Sequence, residues 1–164
     1  MHLQRNTHAG LCIVWVCYNL CMLKTSQQVI LTLLRLSIGW LFLYAGVTKV
    51  IDPSWSAAGY IGNAQTFHTF FAWLAQPNIL PFVNFLNEWG LTLLGVALIL
   101  GVFVRVASLA SFVLMVLYYL PILNFPHAGD HSFIVDEHVI YMLVLLLLYY
   151  FNAGRYFGLD KFRR

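Results

Sequence analysis

Residues 91–120 read LTLLGVALILGVFVRVASLASFVLMVLYYL, an almost unbroken apolar stretch with a single charge, Arg105, near its middle. As one helix of about 30 residues it would be roughly 45 Å long, well beyond the ~30 Å hydrocarbon core of a bilayer. It would also bury Arg105 at mid-membrane, where a charged side chain costs several kcal/mol. The stretch is therefore two helices that meet at a tight turn, Gly101 to Arg105. That turn gives a span from about Phe82 to Leu100 and another from about Val106 to Leu120, closed by Pro121.

Working outward, an earlier apolar span runs from about Val29 to Val50 and stops at Asp52-Pro53, where proline disfavours helix continuation. A later one runs from about Ile134 to Phe151, with Asp136 and Glu137 in its first turn, where the helix dipole favours negative charge. Composition agrees with this reading. Hydrophobic residues make up 61% and charged residues 9% of the chain, and mean hydropathy is +0.78. A soluble surface uses roughly 25% charged residues, so the expected fold is all-α, an integral membrane four-helix bundle in contact with the lipid bilayer. The connection from Ser54 to Pro81 holds Trp55, Tyr60, Phe67, Phe70, Phe71 and Trp73. Tyr60, Phe67, Phe71 and Leu74 recur near helical spacing, so part of it reads as an interfacial helix in the first outer loop. Asn124 to Ser132 reads as a polar loop.

The net charge of +3, with no Lys/Arg cluster interleaved with stacking aromatics, excludes nucleic acid as a partner. Basic residues mark topology instead. Lys24, Arg105, Arg155, Lys161, Arg163 and Arg164 fall on one side of four spans and Lys49 on the other, which places both termini in the cytoplasm. Cys12, Cys17 and Cys21 all lie in the first segment, with no later cysteine to pair with and no CxxC. They read as small apolar residues. The run from Ala9 to Leu23 is too short to cross a bilayer, so residues 1–27 are taken as an N-terminal extension to a transmembrane domain at 28–164.

Polar residues gather on helical stripes. Arg35, Gly39, Phe42, Gly46 and Lys49 share one face of the first span; Asn84, Glu88, Thr92 and Gly95 share one face of the second. Arg105, Ser108 and Ser111 do so on the third, and His138, Tyr141, Leu145 and Asn152 on the fourth. Such stripes face other helices, because lipid stabilises no charge and glycine permits close approach. Lys49, Glu88, Asp136, Glu137 and His138 fall at the outer ends of the spans, whereas Arg35, Arg105 and Arg155 form an inner basic layer. A Glu88/Lys49 ion pair with His138 alongside is the expected centre of the outer cluster. The same residues also read as structural glue that holds helices and fixes topology. Haem or metal ligation by His68, His127 and His131 with His138 is not expected, because a transmembrane haem wants opposed histidines inside the spans; the expected metal is none.

These stripes carry a resemblance. Arg35-x3-Gly39-x6-Gly46-x2-Lys49, then Glu88-x-Gly90-x4-Gly95-x5-Gly101-x3-Arg105-x-Ala107, then Gly154-Arg155-Tyr156-x2-Leu159-Asp160 follow one another in the order seen in the DoxX/DoxD family of small prokaryotic membrane proteins. The resemblance covers about Gln28 to Phe162. Asn152-Ala153 and Phe157-Gly158 depart from the family's usual Gly-Pro-Gly-Arg and Ser-Leu-Asp turns. It implies four transmembrane helices in the prokaryotic cytoplasmic membrane. It also implies a link to sulfur oxidation, because DoxD-type members are subunits of a thiosulfate:quinone oxidoreductase.

On that basis Arg35, Lys49, Glu88, Glu137 and His138 are candidate ligands to a quinone, with Glu88 or His138 exchanging protons. No electron carrier is encoded, so a quinone is the expected substrate and a second redox subunit or a small reductant the expected electron source. A homo-oligomer is open. The other reading is a non-enzymatic membrane component that binds a lipid-like molecule or supports assembly of a redox complex.

Overall fold

The computed structural model describes residues 23–129 and 132–162. The expectations for residues 1–22, Asp130, His131, Arg163 and Arg164 lie outside these. The first helix, α1 (Thr25–Ile51), begins after Lys24, whose backbone N–H donates to Gln27 Oε1 at 2.9 Å. It ends at Asp52-Pro53 as expected, with Asp52 accepting from the Ser54 backbone and hydroxyl. Its buried residues are Leu31, Arg35, Ile38, Gly39, Phe42 and Gly46, so the predicted stripe does face inward.

The aromatic connection holds two short helices instead of one, α2 (Ala58–Gly62) and α3 (His68–Leu74). Between them Phe67 takes a left-handed backbone with φ of 53°, a conformation that breaks helix for any non-glycine residue. Ile61, Ala64 and Phe71 bury against Leu74, Val83 and Leu120, which seats this segment across one end of the bundle.

Two long helices follow, α4 (Leu80–Leu100) and α5 (Val104–Ile122). Their turn is shorter than the predicted Gly101 to Arg105. Gly101 closes α4 at φ +69°, and Val102 N–H reaches back to Ala97 O at 3.0 Å, satisfying a carbonyl that a helix end otherwise leaves orphaned. Arg105 thus stands in the first turn of α5. Pro121 does not close α5 but lies inside its last turn, where the missing N–H costs one bond and the chain leaves the helix at once. The predicted polar loop is a small antiparallel sheet, β1 (Leu123–Asn124), β2 (His127–Ala128) and β3 (Ser132–Phe133) in the order β1-β2-β3.

The last helix, α6 (Glu137–Tyr150), has 14 residues, fewer than the span predicted from Ile134 to Phe151. Asp136 is its N-cap, not a first-turn residue, and accepts from Val139 N–H at 3.2 Å. Two 3-10 turns, Ala153–Arg155 and Leu159–Phe162, form a C-terminal tail. Among the described residues three helices, α1, α4 and α5, are long and apolar enough to cross a membrane, and α6 completes the bundle as a shorter apolar helix.

Helix α1 packs on α4 and α5 on α6, with α4 against α5. The α1–α4 approach is close because both helices present glycine. A Cβ on Gly46 would lie 2.5 Å from Thr92 N, and one on Gly95 would lie 2.4 Å from Leu43 N. Phe42, Leu98, Leu145 and Leu148 are fully buried at the centre. Trp40, Leu93 and Val106 are 64%, 62% and 67% exposed, an apolar exterior that lipid solvates and water would not.

Candidate functional site

The two ends of the bundle carry different polar chemistry. At the tail end Arg35 is 1% exposed, yet its guanidinium donates to three main-chain carbonyls: Nη1 to Ala153 O at 3.1 Å and Tyr156 O at 3.4 Å, and Nη2 to Phe157 O at 3.1 Å. Thr32 Oγ1 adds a bond to Tyr156 O at 3.3 Å. Arginine suits this task because its planar fork stays charged and holds several acceptors at fixed angles. Asp160 of the same tail accepts from Phe103 N–H at 2.8 Å and Val104 N–H at 2.9 Å. Its own N–H donates to Gly101 O at 2.9 Å. The tail therefore caps α5 from 56 residues away in sequence. Gly154 and Gly158 permit the contact, since a Cβ would meet Asp160 Oδ2 at 2.3 Å or Arg35 Nη1 at 2.4 Å.

Arg35 thus lies at the inner end expected for it, and its guanidinium serves this latch instead of joining Lys49, Glu137 and His138 as a candidate quinone ligand. Lys49, 14 residues further along α1, lies roughly 21 Å away at 1.5 Å per residue. Arg105, in the first turn of α5, and Arg155, in the tail, lie at the same end as Arg35, as expected for the basic layer, and both are exposed, as snorkelling side chains are.

At the other end a cavity of ≈ 550 Å³ opens between α1, α4, α5, α6 and the α2–α3 segment. Trp55, Phe71, Leu74, Val83, Leu114 and Leu117 supply apolar walls, and Lys49, Tyr60, Asn87, Tyr118, Glu137 and His138 supply polar groups. Lys49 Nζ donates to Ala45 O at 3.2 Å and sits 5.3 Å over the Trp55 ring, a cation–π distance. His138 Nδ1 lies 2.5 Å from Asp136 Oδ2, within hydrogen-bond distance. Tyr118 donates its hydroxyl to Asn87 Oδ1, and Tyr60 donates to Tyr118 O. Burial, and then the charges of Asp136 and Glu137, push the Tyr60 hydroxyl up to about 12.

Of the predicted cluster, Lys49, Glu137 and His138 do meet at this cavity, with Glu137 exposed at its rim. Glu88 is not in the lining, and among the described residues it makes no ion pair with Lys49. The reason is angular. A helix turns about 100° per residue, and on α4 it is Asn87 that faces the cavity, while the Thr92 and Gly95 side of the helix is spent on packing against α1. Asn87, Tyr118 and Asp136 were not read as site residues. The spacing of Ser111, Met115 and Tyr118 along α5 carried the signal for Tyr118, since Ser111 and Met115 are buried. Among the described residues no group of three or more His, Cys, Asp or Glu side chains is arranged to hold a metal ion. His127 instead meets Phe133 edge-on at 5.9 Å.

An apolar exterior, spans of membrane length and a ligand-sized cavity at one end define an integral membrane helical bundle. The DoxX family model matches residues 30–122, and the chain belongs to the DoxX family. That match covers α1 to α5 and ends before α6 and the tail. No curated protein and no solved structure matches.

Proposed function

We propose that this protein binds the ring headgroup of a membrane quinone in the loop-end cavity, as the membrane subunit of a sulfur-compound (thiosulfate):quinone oxidoreductase. The observation that carries the reading is the convergence of Lys49, Trp55 and His138 on one space of ≈ 550 Å³. Small-molecule sites of roughly 300–1,000 Å³ combine apolar and aromatic walls with a few placed polar groups. Lys49 has three N–H groups and donates one of them to Ala45 O, so it retains donors for a carbonyl oxygen. His138 brings an imidazole nitrogen to the same space, a hydrogen-bond partner for a ring oxygen. In this reading the quinone takes two electrons from the sulfur compound, directly or through a second redox subunit, and two protons from water.

Lys24, Arg105, Arg155 and Lys161 at the tail end support a location in the prokaryotic cytoplasmic membrane with both termini in the cytoplasm. A second reading, a non-enzymatic component that holds a lipid-like molecule or supports assembly, is favoured by the use of Arg35 in the tail latch and of Gly46 and Gly95 in close packing. The two are separated by purifying the full chain in mild detergent and identifying its extracted small molecules by mass spectrometry. A quinone at near-stoichiometric ratio supports the first. Phospholipid alone, with no binding of added short-chain quinone, supports the second.

A further inference from the structure

His138 is held at a fixed pose in the cavity wall. Its Nδ1 lies 2.5 Å from Asp136 Oδ2, while Asp136 Oδ1 accepts Val139 N–H at 3.2 Å as the N-cap of α6. One carboxylate thus starts the helix and grips the imidazole, and it is 8% exposed. A carboxylate only accepts, so this bond requires the ring proton on Nδ1. A neutral imidazole carries a single ring proton, which leaves Nε2 as a lone pair. Asp136 stands outside the cavity lining and His138 within it, so the ring edge remote from Asp136 is the one a ligand meets. The ring's other neighbours are aromatic, Tyr118 of α5 at 6.1 Å and Tyr141 at 6.5 Å between centroids. The Tyr118 hydroxyl is already committed to Asn87.

We infer that Asp136 is a positioning residue that commits His138 to its Nδ1–H form, so that the resting cavity selects the hydroquinone over the quinone. The inference rests on the quinone reading of the cavity. It follows from matching donors to acceptors. Nε2 offers a lone pair and Lys49 offers N–H, so the fitting ligand brings one O–H and one oxygen acceptor on an aromatic ring. A hydroquinone brings both. A quinone brings only acceptors, satisfies Lys49 and sets a carbonyl lone pair against that of Nε2.

The test uses the full chain in detergent, labelled with 15N-histidine. The His138 signal is assigned by its loss in His138→Gln, and its tautomer is read from ring 15N shifts. The wild type is expected in the Nδ1–H form. Asp136→Asn keeps a good N-cap. Its amide oxygen serves Val139 while its NH2 faces Nδ1, which turns Nδ1 into the acceptor and moves the proton to Nε2. Equilibrium dialysis with a short-chain hydroquinone and its quinone should then show the wild type favouring the hydroquinone about tenfold, the worth of one net hydrogen bond. Asp136→Asn should erase or invert that preference with unchanged far-UV dichroism. A wild-type ring protonated at Nε2 or at both nitrogens, or a tautomer unmoved by Asp136→Asn, overturns the positioning role. Equal binding of the two ligand forms overturns the selectivity. Binding of neither form, with the tautomer as expected, overturns the quinone reading of the cavity and the selectivity built on it, while the role of Asp136 stands on the spectrum.

Discussion

Replacing Asp160 with alanine removes two charge-assisted bonds, those from Phe103 N–H at 2.8 Å and Val104 N–H at 2.9 Å. Both donors belong to the start of α5, where the first N–H groups of a helix have no partner within the helix. Losing a cap costs about 0.5–2 kcal/mol, and hydrogen bonds to a charged group are worth about 1.5–3 kcal/mol each. Asp160 is partly exposed, so solvation offsets some of that. The expected loss for Asp160→Ala is therefore about 2–4 kcal/mol. Asp160→Asn retains one acceptor oxygen and so should lose about half as much. The assay is equilibrium unfolding of the purified protein in mixed micelles, followed by far-UV dichroism against the mole fraction of denaturing detergent. The loss should exceed that from alanine at Lys161, an exposed neighbour. A change below about 0.5 kcal/mol, the ordinary range for surface substitutions, would refute the idea that the tail holds α5 in place.

Gly95→Ala should cost about 1–3 kcal/mol in the same assay, because its Cβ would fall 2.4 Å from Leu43 N, backbone that cannot yield. Gly90→Ala, with nothing within 4 Å of the added Cβ, should be neutral or slightly stabilising. Tyr60 supplies a pH test. Its hydroxyl is raised from 10.0 to about 12, so the unfolded chain ionises first. Its contribution to stability is present below pH 10, falls as pH rises through that window, and is gone above the folded value. Tyr60→Phe should flatten the alkaline fall between pH 10 and 12, and an unchanged profile would count against burial of that hydroxyl.

Much of the architecture was legible because it follows from hydrophobic length and one misplaced charge. Arg105 could not sit in mid-bilayer, and Gly101 offered the turn. The inward stripe of α1 was legible for the same reason, since small and charged residues repeated at helical spacing. The end of α6 was misread because Ile134 and Val135 are apolar yet lie outside the helix, where φ at Ile134 is 59°. Hydropathy alone cannot tell an exposed apolar approach segment from a helix turn. The role of Arg35 was not legible either. Its partners are carbonyls of residues 153–157, more than 100 positions away, and periodicity within a helix holds no information about which distant backbone fills a charged site. The Glu88 error was an azimuth of one residue. Lys49 and His138 both reach the cavity wall because each stands at a helix end next to a turn, where depth fixes position more than angle does.

The most direct measurement of a ligand site at Lys49 and His138 is photoaffinity labelling with a short-chain azidoquinone, followed by peptide mapping. Crosslinks are expected on the cavity walls, at Trp55, Leu114, Tyr118 or His138, suppressed by excess unlabelled hydroquinone and lost in the double variant Lys49→Met, His138→Gln. Crosslinks confined to lipid-facing residues such as Trp40 and Tyr44, each 64% exposed, and insensitive to competitor, would contradict it.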